Sequence, residues 1–148
     1  MIIVNKHLSD NPTIVRKRVY FKVRKPGGNT FVVNRKKFTD SLKKDGYSTV
    51  VNGNFITATR NGEVNTFFFI SHEKGLKNYL VPAVLPYRVQ YFAFYDEEKD
   101  CVYKVAYNVV RDYCQHLDTI YVFKQTEKLF ISDNWAKRQV LNTYVVKK

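Results

Sequence analysis

Apolar and polar residues alternate through several short stretches of this chain, and the first such stretch is also strongly basic. Within residues 13–25, Val19, Phe21 and Val23 occupy every second position, with Arg16, Arg18, Tyr20, Lys22 and Arg24 between them. That period of two predicts a half-buried strand whose opposite face is basic and leaves Tyr20 exposed. Pro26, Gly27, Gly28 and Asn29 form a turn signal, and the apolar run at 30–33 reads as the returning strand. The stretch 13–33 is therefore predicted to be a basic hairpin. Asn34 is a good N-cap for a helix over 34–44, with Phe38 and Leu42 four apart as its apolar stripe and Gly46 placed to end it. Three strands at 47–51, 54–60 and 63–71 should follow as a meander. They are joined by Asn52-Gly53 and Asn61-Gly62, the dipeptides that type I′ turns favour. Residues 67–70 (Phe-Phe-Phe-Ile) are apolar on both faces, which predicts a central strand covered on each side.

The second half reads in the same way. Residues 72–86 hold Pro82 and Pro86 and are predicted to be a loop. An aromatic strand at 89–95 leads into a charged turn at 96–100 and a partner strand at 101–106. Val109, Val110, Tyr113, Cys114 and Leu117 recur at three and four, predicting a helix over 107–117. Strands at 119–123 and 129–131 come next, and Ser132 or Asp133 caps a last helix through Leu141. The fold class is α+β: a mostly antiparallel sheet of six to eight strands with two or three helices. The length of 148 residues fits one domain. Its parts are a basic hairpin and helix at 13–45, a sheet core at 47–106, and C-terminal helices and strands at 107–148. No run of 18 apolar residues occurs, so no membrane-spanning helix is expected. The opening Met-Ile-Ile-Val-Asn-Lys-His has no basic segment leading into a long apolar run, so it does not read as a secretory signal.

Charge changes this picture. The chain carries 25 Lys and Arg against 13 Asp and Glu, a net +12. Residues 1–50 hold twelve of the cations and only three acids, Asp10, Asp40 and Asp45, so most of the excess lies in the first third. A field of one sign attracts polyanions, and every phosphate it neutralises releases counterions, making binding steeply salt-dependent. The candidate nucleic-acid-binding residues are Arg16, Lys17, Arg18, Tyr20, Lys22, Arg24 and Lys25 in the hairpin, with Arg35, Lys36, Lys37, Lys43 and Lys44 in the helix. Tyr20 would offer a stacking ring, and Trp135, beside Lys137 and Arg138, is a second candidate. Lys43 and Lys44 also complement the helix dipole, so part of the basic cluster serves helix stability. Heavy use of Asn, Lys, Tyr and Phe with little Ala is what an AT-rich coding sequence produces, pointing to a phage or other mobile element.

Several stretches fall in a recognisable order. Lys43-Lys44-Asp45-Gly46-Tyr47 leads from a helix into a strand, and Asn54-Phe55-Ile56-Thr57 and Asn61-Gly62-Glu63-Val64 open the next two. Gln90-Tyr91-Phe92-Ala93-Phe94-Tyr95-Asp96-Glu97 and Cys101-Val102-Tyr103-Lys104-Val105 form a later aromatic pair. Residues 34–112 thereby resemble the core of the PD-(D/E)xK nucleases, the restriction-endonuclease-like fold, and more narrowly the endonucleases associated with group I introns. The resemblance implies a helix, an acid-bearing strand, a hairpin into a strand with a Glu/Gln-x-Lys triplet, an aromatic strand, a turn, a short strand and a helix. It also implies Mg²⁺ held by carboxylates. The catalytic positions depart from it: the first metal-binding acid would fall near Asn54, and the triplet would fall in Phe68-Phe69-Ile70-Ser71, which has neither carboxylate nor lysine. Glu97-Glu98-Lys99 spells a triplet but lies in a charged turn, while Asp45 follows a helix and Glu63 follows a turn.

Other chemistry finds little footing. Neither Gly-x-x-x-x-Gly-Lys-Ser/Thr, Gly-x-Gly-x-x-Gly nor Gly-x-Ser-x-Gly occurs. Cys101 and Cys114 suggest half-buried thiols in a reducing compartment, and three scattered histidines do not complete a zinc site. Cys114 and His116 lie two apart on a helix and diverge. His72 is the one candidate general base for a metal-free ribonuclease. The sequence thus favours a non-enzymatic binder of DNA or RNA that needs no cofactor, contacts no membrane and works in the cytoplasm of a host cell. The alternatives are a metal-dependent PD-(D/E)xK endonuclease and a phage inhibitor that binds an acidic surface of a host protein.

Overall fold

The computed structural model describes residues 6–7, 17–21, 28–72, 77–85, 88–123 and 126–146. In chain order the elements are β1 (Lys6–His7), β2 (Lys17–Phe21), α1 (Gly28–Lys44), β3 (Ser48–Asn52), β4 (Phe55–Arg60), β5 (Glu63–Ser71), β6 (Asn78–Pro82), β7 (Val84–Leu85), β8 (Tyr91–Asp96), β9 (Cys101–Ala106), α2 (Tyr107–Cys114), β10 (Thr119–Phe123), β11 (Thr126–Ser132), α3 (Asp133–Arg138) and β12 (Asn142–Val145). The class is α+β, with three helices as expected but twelve strands among the described residues. A six-stranded sheet has the order β12-β9-β8-β5-β4-β3, a four-stranded sheet the order β2-β10-β11-β6, and β1 pairs with β7. All neighbours are antiparallel except β5 with β8 and β2 with β10.

β5 organises the six-stranded sheet. Phe67 and Phe69 point to one face, where Phe38 and Leu42 of α1 cover them with Ile56, Ala58, Tyr95 and Val102. Phe38 meets the edge of the Phe67 ring at 5.3 Å and stacks on Phe69 at 5.8 Å. Phe68 and Ile70 point the other way, into a larger core with Tyr79 and Val81 of β6, Leu129 and Ile131 of β11, and Val110 of α2. The molecule is therefore layered: α1, the six-stranded sheet, then the four-stranded sheet with α2 and α3. Among the described residues no helix is long and apolar enough to cross a membrane.

Local rules account for most boundaries. α1 ends in a Schellman motif: Gly46 N donates to Lys43 O at 3.0 Å, Tyr47 N donates to Leu42 O at 3.0 Å, and Gly46 sits at φ +91°. Asn61 and Gly62 both take positive φ, as a type I′ turn requires. The β3–β4 turn differs from expectation, because only Gly53 takes positive φ, the pattern of a II′ turn with glycine in its first central position. Ser132 caps α3 by accepting from Trp135 N at 3.1 Å.

Four expectations are corrected. The hairpin over 13–33 is not formed: residues 30–33 are helical, and β2 instead runs parallel to β10, Lys17 opposite Thr119. A run of three apolar residues cannot separate strand from helix. Here Phe31 joins the helix stripe and packs against Phe69 at 5.7 Å, while Val32 and Val33 are both about half exposed (49% and 52%), which strand alternation would forbid. For the same reason Asn34 is not the cap of α1; the helix is already under way at Gly28, and Asn34 is buried within it. Residues 72–86 are not all loop, since β6 and β7 lie within them. Tyr79, Val81, Ala83 and Leu85 are buried alternately, and Pro82 is tolerated because β6 is an edge strand. The last helix stops at Arg138 rather than at Leu141, and the chain returns as β12 to close the six-stranded sheet beside β9. Residues 13–16, 22–27, 73–76, 86–87, 124–125 and 147–148, on which parts of these expectations fell, lie outside the described residues.

A buried carboxylate locks the far end of the sheet. Asp96, at the end of β8, accepts from Glu98 N at 3.0 Å, Lys99 N at 3.2 Å and the Tyr103 hydroxyl at 2.6 Å, and Lys137 of α3 lies 3.7 Å away. Burial pushes its pKa up, but the Tyr103 and Lys99 hydrogen bonds and the Lys137 charge outweigh that, and the net shift is downward. A group with a folded pKa below its unfolded one stabilises the fold at neutral pH. That contribution fades as pH drops below the ordinary carboxylate range, about 4.

Phe38→Ala should cost about 3–5 kcal/mol in urea denaturation, whereas Val33→Ser on the open side of α1 should cost roughly 0.5 kcal/mol or less. Asp96→Asn should cost roughly 1.5–3 kcal/mol near pH 7, and its disadvantage should shrink near pH 3, read from urea midpoints at the two pH values.

Candidate nucleic-acid interface

Those predicted binding residues that are described fall into two groups rather than on one surface. Arg16, Lys22, Arg24 and Lys25 lie outside the described residues. Lys17, Arg18 and Tyr20 are on β2 in the four-stranded sheet, and Arg35, Lys36, Lys37, Lys43 and Lys44 are on α1. The six-stranded sheet stands between those two groups, because α1 packs on one of its faces and the four-stranded sheet on the other.

The β2 group is the weaker of the two. Tyr20 is exposed, at 72%, as its position among basic residues predicted. Arg18 and Tyr20 do share a face, but it is the one carrying Ile120 and Val122, which turns toward the core. Arg18 and Tyr20 stay open there because β2 is an edge strand. Arg18 pairs with Glu127 of β11, and that pairing raises its pKa. The cleft of about 410 Å³ that Arg18 and Tyr20 help to line therefore has a neutralised wall.

On α1 the cations divide by what they already do. Arg35 donates to Gly53 O at 2.8 Å and lies over the Phe31 ring, tying the helix to the β3–β4 turn. Lys36 bonds Asp40 at 2.8 Å, one helical turn on, and that contact leads in lowering the Asp40 pKa, with Lys43 and Lys44 adding to it. Lys37 reaches Asp100 at 3.3 Å and the Tyr95 hydroxyl at 3.5 Å. Burial, with help from Asp100, keeps the Tyr95 phenol protonated, and it donates to Asp100 at 2.6 Å. Lys43 and Lys44 are exposed, and no carboxylate among the described residues lies within ion-pair distance of either.

These two lysines open onto a cleft of about 360 Å³, whose walls are Lys37, Asp40, Ser41, Lys43 and Lys44 of α1 and, opposite, Val145 and Val146. Lys43, Lys44 and a serine hydroxyl, with Lys37 held by Asp100 and Asp40 held by Lys36, leave an excess of positive charge along the groove that suits phosphates. The lysines were visible in the sequence. Their opposite wall was not, because it belongs to β12 and the residue after it, where a helix was expected to run on to Leu141.

The other candidates are placed as follows. Trp135 stacks on Tyr113 at 4.1 Å and joins α3 to α2, so its ring is engaged. His72 has a side chain only 8% exposed, stacks on Tyr79 at 4.3 Å and lies 3.9 Å from Asp133. Burial leads in lowering its pKa against the pull of Asp133, Asp96 and Glu97, so the neutral ring is favoured. Cys101 and Cys114 are buried and not joined in a disulfide, whereas His116 is exposed. The Asn54 amide donates to Phe69 O at 2.8 Å, and Phe69 N donates to Asn54 O at 2.7 Å, so this residue clamps β4 to β5. Phe68, Phe69 and Ile70, at the triplet position, are buried in the two cores. The Asp45 carbonyl accepts from Arg60, Glu63 accepts from Asn65 at 2.9 Å, and Glu98 pairs with Lys77 across an exposed 3.8 Å. Among the described residues no group of three His, Cys, Asp or Glu converges to hold a metal ion.

Compared with known proteins, the chain matches no family model and no curated protein. The solved structure of a bacterial homing endonuclease, I-Ssp6803I, is similar at a TM-score of 0.46 and 10% sequence identity, over 74% of this chain and 78% of that one.

Proposed function

We propose that the protein binds nucleic acid by its phosphates, along the cleft between α1 and the β12 margin, and does not cut it. The observation that carries this reading is the pair Lys43 and Lys44, exposed and without a carboxylate partner among the described residues, beside Lys37 in a groove. A chain with a net +12 draws polyanions toward such a groove before any contact forms. Backbone contacts fix position and carry no sequence code, so affinity should vary little between sequences. The absence of cutting is supported by what fills the positions that the nuclease resemblance marks: an amide spent on a strand clamp and three buried apolar side chains. The residue usage supports a phage or mobile-element origin, with the protein acting in the cytoplasm of a host cell.

A salt titration of DNA and RNA binding tests the reading. Replacing Lys43 and Lys44 with Ser should reduce the slope of log affinity against log salt by about two units on duplex DNA, at about 0.9 per phosphate. Arg18→Ser, whose charge already faces Glu127, should change it far less. Equal slopes for wild type and the double variant would remove the cleft from consideration. Plasmid that is cleaved with Mg²⁺ and spared by Asp45→Asn or Glu63→Gln would replace binding with the endonuclease alternative.

A further inference from the structure

Two arginines border the core on the face of the six-stranded sheet away from α1, and no acid answers them. Arg88 stands three residues before β8, and Arg111 lies in α2, one helical turn after Tyr107. Among the described residues no carboxylate lies within ion-pair distance of either guanidinium. Asp112 follows Arg111 in α2, but consecutive residues of a helix do not face each other.

A phenol beside them has the same lack. Tyr107, the first residue of α2, is only 3% exposed, and its hydroxyl has no hydrogen-bond partner; the Nε of Arg111 is enclosed without one too. Buried donors left unmatched are rare, because each gives up its hydration for nothing in return. Arg88 lies over the Tyr107 ring, 5.9 Å from its centre. Burial leads in raising the Tyr107 pKa, while Arg111 and then Arg88 pull it back, so both charges act on this hydroxyl. The net shift is upward, and at neutral pH the phenol is an O–H donor.

The backbones that carry these groups are tied together. Tyr107 N donates to Gln90 O at 3.0 Å, joining the start of α2 to the segment that carries Arg88. Gln90 is fixed in turn: its N donates to Thr66 Oγ1 and its Oε1 accepts from Thr66 N, both at 2.9 Å. The Tyr107 ring lies parallel to that of Phe92 at 6.0 Å. α2 also begins without a side-chain cap and without an acid in its first turn, so its positive end adds to the field of the two arginines.

From these observations we propose that Arg88, Tyr107 and Arg111 form a phosphate-binding site separate from the lysine cleft. Guanidinium groups only donate, and the phenol donates as well, so the missing partner is an anion rich in acceptors. Two guanidinium forks from different elements, with a hydroxyl, present more donors than the two oxygens of a carboxylate can meet from one plane. A tetrahedral phosphoryl group meets them. Arg88 is exposed, which opens the site to solvent on its side. The phosphoryl group is the same chemistry whether it comes from inorganic phosphate or from a nucleic-acid chain. The site does not depend on the cleft reading, because Tyr107 belongs to the core on one face of the sheet and α1 to the core on the other.

Titrating inorganic phosphate into the full chain, against chloride at equal ionic strength, while following the arginine Nε–H signals by NMR tests the site. The Arg88 and Arg111 signals should shift and saturate with phosphate alone. Arg88→Gln should weaken that binding by about tenfold, and Tyr107→Phe by roughly fivefold. Tyr107→Phe should leave the urea midpoint of the phosphate-free protein unchanged, since its hydroxyl has no partner to lose; a merely structural hydroxyl would lower it. Replacing Lys43 and Lys44 with Ser should leave the response of both arginines intact, so this site and the cleft can fail separately. Oligonucleotides identify the source: affinity lost with Arg88→Gln assigns the site to backbone phosphate, and unchanged affinity assigns it to inorganic phosphate. Arginine signals that respond alike to phosphate and chloride, or phosphate affinity that survives both Arg88→Gln and Tyr107→Phe, would overturn the proposal.

Discussion

β5 carries Phe67 and Phe69 on one face and Phe68 and Ile70 on the other, and no single layer can take both sets out of water. Each ring withdrawn contributes roughly 1.5–3 kcal/mol, so leaving either side bare would cost much of a small domain's stability. The fold follows from supplying two covers. α1 lies over the first face, and the four-stranded sheet with α2 and α3 lies over the second. β2 belongs to the second cover and α1 is the first, so these consecutive elements end on opposite sides of the sheet. Two basic segments adjacent in sequence are separated for that reason. The apolar pattern of one strand, far along the chain, decides where the cations go.

The parts of the fold that were legible in the sequence are those governed by near neighbours. The β5 bounds, the Asn61-Gly62 turn, the stop at Gly46 and the strands at 101–106 and 119–123 all rest on alternation or on φ requirements of one or two residues. The parts that were not legible depend on distant partners. Nothing near Lys17 indicates that its strand will run beside Thr119, and nothing near Pro82 indicates that it will occupy an edge facing Lys128. The Phe-Val-Val run at 31–33 is ambiguous by itself and becomes helical because Phe31 finds Phe69. The candidate site divides along the same line. Its lysines were readable, whereas the neutralisation of Arg18 by Glu127, 109 residues away, and the wall at Val145 and Val146 were not.

Counting cations in a sequence therefore overstates what a surface offers to a ligand. Of the five on α1, Arg35 ties the helix to a turn, Lys36 is held by Asp40 and Lys37 by Asp100. Elsewhere Arg60 lies over Tyr47 and Lys104 over Tyr91, each at 4.3 Å, with their charge set against ring faces. Pairs of this kind at a surface contribute little to stability, commonly under about 1 kcal/mol. They do hold side chains in place, and among the cations of α1 they leave Lys43 and Lys44, in the last turn, open to a partner.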